Sequence, residues 1–191
     1  MMTLSFRHPV RIAALVYLAL MVPPLRQLLE SSMTTQMLLQ IPLLIGVGFL
    51  LPRALPARLQ DIISGCNHQG IAGLLLASVV SAFWMLPLEL DASVADPLVA
   101  AAKYLSVPLL IGLPLALSWP RMGFIVKGVF MLELTATFFR LGWLYLIWPG
   151  RLCNTYLLDD QQRLGQYMLW IGGALVLGIS VKLLWGRFDS K

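Results

Sequence analysis

The sequence predicts an all-α fold: a single transmembrane domain over residues 1–191, a polytopic bundle of about six helices with both termini cytoplasmic. Three observations carry that reading. Hydrophobic residues make up 59% of the chain and charged residues only 12%, with a mean hydropathy of +0.80. A soluble domain carries about 25% charged residues, and this chain lacks the polar side chains to cover a surface in water. The apolar residues gather into runs of about 20, the length that crosses hydrocarbon as a helix. The basic residues stand singly or in pairs between those runs, as loop charges that orient membrane helices do.

The first run, about 9–29, follows a basic start. No small-x-small cleavage site follows it and more runs lie behind, so it reads as a retained helix and not a signal peptide. It is also the shortest in continuous apolar content, which leaves five spans as the alternative. The second run, 33–52, ends at Pro52, and the third, 69–90, opens at the glycine-rich HQGIAG. The fourth covers 99–119, the fifth 123–148 and the sixth 164–186. Pro42, Pro108 and Pro114 fall within these runs, where neighbouring helices can satisfy the carbonyls they free. The loops ELDASVADP and PGRLCNTYLLDDQQ are short, so neither face carries a soluble domain.

Orientation follows from the basic residues. With the N-terminus inside, cytoplasmic segments hold Arg7, Arg11, Arg53, Arg58, Arg121, Lys127, Lys182, Arg187 and Lys191. The outer segments hold Arg26, Lys103, Arg151 and Arg163, together with most of the acids. The expected setting is the bacterial cytoplasmic (inner) membrane, multi-pass, with the lipid bilayer and other membrane subunits as partners. The net charge of +5 is too dispersed for a nucleic-acid groove. Cys66 and Cys153 fall on opposite sides of this topology, which argues against a disulfide between them.

Few residues offer chemistry. Glu133 and Arg140 lie two turns apart on the fifth helix with Thr137 between them. The pair reads either as a proton or ion relay or as a buried ion pair that fixes helix register. His8 and His68 precede helices and do not lie within them, which argues against bis-histidine haem. Met33 and Met37 form a stripe with Gln36 and Gln40 on the second helix, and Met85 lies at a similar depth. Thioethers bind Cu(I) in oxidising compartments, and they are also adaptable packing groups. Asp159 and Asp160 read as caps of the sixth helix. No GxSxG, HExxH, P-loop or Rossmann glycine pattern is present, and no enzyme activity is expected.

Three stretches together resemble the CtaG family of cytochrome c oxidase assembly factors. They are SSMTTQMLLQIPLLIGVGFLLP, FWMLPLELDASVADPLVAAAKYLS and LLDDQQRLGQYMLWIGGALV, in the family's order. Family members carry histidines in the second, third and fourth helices, and the matching positions here are Gln36, Met85 and Tyr104. The resemblance implies an assembly or accessory protein of a copper-containing membrane oxidase. The site would be a Cu(I) centre of Met33, Met37 and Met85, supported by Gln36 and Tyr104, or metal binding is lost and a scaffold remains. The alternatives are a metal-free permanent accessory subunit and a small proton-coupled transporter built on Glu133 and Arg140. A haem-binding quinol enzyme would need intramembrane histidine.

Overall fold

Prolines decide where this chain bends. The computed structural model describes residues 7–67, 69–153 and 155–185, without the side chains of residues 7, 8, 57, 64 and 66. His68 and the side chain of His8 lie outside it, as do Arg187 and Lys191 of the charge argument. Among the described residues all regular structure is helical. The helices are α1 (Arg7–Met21), α2 (Pro23–Glu30), α3 (Met33–Ala54), α4 (Ala57–Cys66), α5 (Ile71–Trp84), α6 (Pro87–Ala95), α7 (Pro97–Ser118), α8 (Phe124–Ile147) and α9 (Leu158–Trp185).

The run expected as one helix over 9–29 is two. Val22 precedes Pro23, whose ring drives it out of the α region to ψ 127°, and Pro23 starts a new helix. The two halves meet at 74°. The run 69–90 breaks for the same reason: Leu86 sits at ψ 132° before Pro87, and α5 and α6 meet at 70°. α7 opens at Pro97, earlier than expected, because the Asp96 carboxylate accepts the Leu98 N–H at 2.8 Å as a cap. α9 likewise begins at Leu158, not at residue 164.

Three helices, α3, α7 and α9, are long and apolar enough to cross a membrane, and each bent pair would add one more, giving up to five. α8 has 24 residues but carries Lys127, Glu133 and Arg140, and it is not among them.

α3 and α7 form the centre, with α1 packed on α3 and both α5 and α6 on α7. Where α3 and α7 cross, a methyl group on Gly48 would overlap the backbone of Pro108, with its Cα 2.8 Å away. A methyl group on Gly112 would meet Gly48 Cα at 2.7 Å, so only glycine allows this approach. α8 and α9 form a hairpin whose Gly142 and Gly165 touch in the same way, and the start of α9 reaches the N-terminus of α3.

Both central helices contain a π turn, Gln36–Gln40 in α3 and Val107–Gly112 in α7. Each precedes or contains a proline, which cannot donate to the carbonyl four residues back. The carbonyl that Pro108 leaves open belongs to Tyr104, and the Tyr17 hydroxyl of α1 donates to it at 3.2 Å. In α3 the wider turn leaves Gln36, Met37 and Gln40 all buried.

Candidate functional site

The kinked end of the bundle holds a polar centre built on Lys103 of α7. Lys103 shares the inward face of that helix with Ala100, Tyr104 and Val107, one turn apart, and its side chain is 0% exposed. A buried ammonium needs an acceptor for each of its three protons. Lys103 Nζ donates to Glu30 Oε1 at 3.0 Å, Gln40 Oε1 at 3.0 Å and Ser93 Oγ at 3.1 Å. Those acceptors come from α2, α3 and α6, so the two proline bends and the π turn bring them together.

Each partner is satisfied in turn. Glu30, 8% exposed, also accepts from Gln40 Nε2 at 3.2 Å, and its Oε2 accepts from Arg26 Nε at 3.0 Å. Gln40 Nε2 donates to the Tyr104 hydroxyl at 2.9 Å, which donates to the Leu20 carbonyl at 2.9 Å. Gln36 Nε2 donates to Ser93 Oγ at 3.0 Å, and the Tyr156 hydroxyl donates to Gln36 Oε1 at 2.6 Å. Among the described residues no buried side-chain nitrogen or oxygen lacks a partner. The open edge is Arg26, 34% exposed, beside a groove of about 360 Å³ lined by Met21, Pro23, Gln27, Glu30 and Val94.

Chemically this is a closed hydrogen-bond circuit. It holds two cations and one carboxylate at the point where α2, α3, α6 and α7 converge. Its chemistry is that of a clamp: each donor is already matched to a fixed acceptor, and the ion pair gains strength from burial only while those matches persist.

The residues expected to hold a metal lie around this circuit and are largely spent within it. Gln36 and Tyr104 have both ends of their polar groups taken by protein partners. Met33 and Met37 are buried in the core, and the Tyr145 hydroxyl donates to Met37 Sδ at 3.8 Å. Met85 is half-buried where α5 ends, packed against the edge of that core. One of the three thioethers thus meets a hydroxyl, and the Lys103 ammonium fills the oxygen cage beside them. Glu133 and Arg140 do pair, with Arg140 also donating to Thr137 Oγ1 at 3.3 Å. They are 62% and 63% exposed on the outer face of α8, so the pair is not buried and fixes no register between helices.

Sequence reasoning missed Lys103 and Glu30, counting both as loop charges. The available signal was depth: Lys103 is the seventh residue of the helix that begins at Pro97, in register with its buried face. Asp160 was also misplaced. It caps a different helix, accepting the Met33 N–H at 2.5 Å and the Thr34 hydroxyl at 3.3 Å. Gln161 ties down the loop before α9, with Oε1 accepting the Leu152 N–H at 2.9 Å.

That loop buries Cys153, whose thiol donates to the Pro87 carbonyl at 3.3 Å. Burial, with the nearby Asp91 charge, pushes the thiol up to about 12. A raised pKa keeps the neutral thiol: its stability contribution is intact below the ordinary value near 9 and is lost as pH climbs towards 12. In a Cys66→Ser background, maleimide at pH 8 is expected to leave the folded protein unmodified and to react fully after unfolding. Rapid labelling of the folded protein would contradict this geometry.

No family model, no curated protein and no solved structure matches this chain.

Proposed function

We propose that this chain is an integral, non-enzymatic accessory or assembly subunit of a larger membrane complex, with α8 as its sixth span and its docking helix. The observation that carries the reading is the exposed Glu133–Arg140 pair. At 24 residues α8 is about 36 Å long, enough to cross hydrocarbon of about 30 Å. Its outward stripe runs Ile125, Val129, Glu133, Ala136, Arg140, Trp143 and Ile147, at helical spacing throughout. Charged groups facing lipid are expensive and usually face protein. A partner helix laid along Ala136, offering polar groups to Glu133 Oε2 and the remaining guanidinium nitrogens, removes that cost. Six spans put both termini on one face, which the basic residues assign to the cytoplasmic side of a bacterial inner membrane.

The resemblance to oxidase assembly factors supplies the partner class, a copper-containing membrane oxidase. A metal-free scaffold is favoured over Cu(I) handling at Met33, Met37 and Met85, because Met37 is engaged by Tyr145 and Gln36 and Tyr104 serve the lysine centre. A proton-coupled carrier built on Glu133 and Arg140 draws little support from a pair that faces away from the bundle.

The test is isolation from native membranes in mild detergent, with subunit stoichiometry and copper content measured on the same sample. The chain is expected to co-purify with a membrane complex. The Glu133→Leu/Arg140→Leu variant is expected to purify alone with an unchanged or raised melting temperature. Retention of the complex by that variant, or a wild-type chain that purifies alone, would overturn the docking role.

A further inference from the structure

The link between α3 and α5 contains a helix along which no other helix packs closely among the described residues. α4 follows α3 after only Leu55 and Pro56. Gln60 Nε2 donates to the Pro52 carbonyl at 2.6 Å and the Leu55 carbonyl at 3.0 Å, fixing the angle at which α4 leaves. α7 lies between α3 and α5 and packs along both. Two interaxial spacings of 8–10 Å put α3 and α5 on the order of 16–20 Å apart, and ten residues of helix supply about 15 Å. A ten-residue helix that leaves the end of a span through a two-residue link and leads back to the bundle at α5 stays near the level at which that span ends.

Its sequence suits that level. In ARLQDIISGC the apolar Leu59, Ile62 and Ile63 share one face, Asp61 lies opposite them, and Arg58 borders that face beside Ile62. Leu59 is 45% and Ile62 66% exposed, so these two side chains are uncovered among the described residues. Arg53 and Arg58 are exposed at its start.

We propose that α4 is an interfacial helix, seated with Leu59 and Ile62 in the acyl boundary of the leaflet where α3 ends and with Arg58 among lipid phosphates. A lipid surface is the occupant that fits, because the two-residue link to α3 keeps this face near the end of a membrane-length helix, the depth where apolar and polar surroundings meet. Such a helix fixes how deep the bundle rides and how α3 and α5 are spaced around α7. The inference rests on the membrane reading of α3 and α7 and is independent of the docking role of α8.

Spin labels at Arg58→Cys, Leu59→Cys, Asp61→Cys and Ile62→Cys test it, each in a Cys66→Ser background where buried Cys153 stays silent. The protein is reconstituted into vesicles of mixed phosphatidylcholine and phosphatidylglycerol, with maleimide protection of Cys153 as the folding control. Collisions with oxygen are expected to exceed those with a water-soluble nickel chelate severalfold at 59 and 62. The order is expected to reverse at 61, opposite that face, and to be intermediate at 58, on its border. Preference for the nickel chelate at all four sites would put α4 in water and overturn the proposal. Shielding from both reagents at all four would mean that protein, not lipid, covers it, and would overturn it equally.

Discussion

Glu30→Ala is expected to be among the most destabilising single substitutions in this protein, by about 3–5 kcal/mol, because it leaves a buried ammonium without its counter-charge. Lys103 would keep Gln40 and Ser93, two neutral acceptors, with no carboxylate left to balance its charge. Arg26, at the exposed edge, can turn to solvent and contributes little to the loss. Removing both charges should cost less than removing one. Glu30→Ala with Lys103→Met is therefore expected to be more stable than Glu30→Ala alone, and the cycle to be strongly non-additive. Unfolding of the four proteins in one detergent, followed by circular dichroism, gives the coupling. Additive effects, or a Glu30→Ala loss below about 1 kcal/mol, would mean that the centre contributes no net stability.

Gly48→Ala and Gly46→Ala make the second contrast, one chemistry two residues apart on α3. At Gly48 the new methyl group has backbone on the far side, with Pro108 Cα at 2.8 Å, and backbone cannot rotate away as a side chain can. α3 and α7 must separate, at a cost expected at or above the upper end of the ~1–3 kcal/mol typical of overpacking. At Gly46 nothing lies within 4 Å. There the substitution is expected to be neutral or to gain up to about 1 kcal/mol from helix propensity. Equal melting temperatures for the two variants would show that the crossing is looser than drawn.

The sequence made the class of this fold legible, and the reason is physical: apolar runs of membrane length have few other uses. The bends were less legible. Pro23 and Pro87 were visible, yet a hydropathy window averages across the one extended residue that each imposes on its predecessor. The site was least legible. Lys103 and Glu30 come from segments 73 residues apart, and only the two bends turn a loop acid towards a helix lysine. Gln36 and Tyr104 were singled out as supports of a metal site, and their polar groups meet Ser93, Tyr156, Gln40 and the Leu20 carbonyl, since a polar stripe reports burial but not what fills the space opposite. For Glu133 and Arg140 spacing gave the pairing, while the direction they face depended on helix rotation, which no single helix encodes.

The cap that α9 places on α3 has a consequence for synthesis. Asp160 holds the backbone of Met33 across 127 residues of chain, and Tyr156 reaches Glu30 and Gln36 across 126 and 120. A ribosome delivering this chain from its N-terminus releases the lysine, the glutamate and both glutamines long before the residues that close over them. During that interval α3 stands with its first amides unanswered and its polar stripe open to whatever meets it. The kinked end thus closes only once Tyr156 and Asp160 have been made. A nascent chain stalled before residue 156 would present that stripe as an open, sticky surface, the kind of signal by which membrane quality control recognises an unfinished protein.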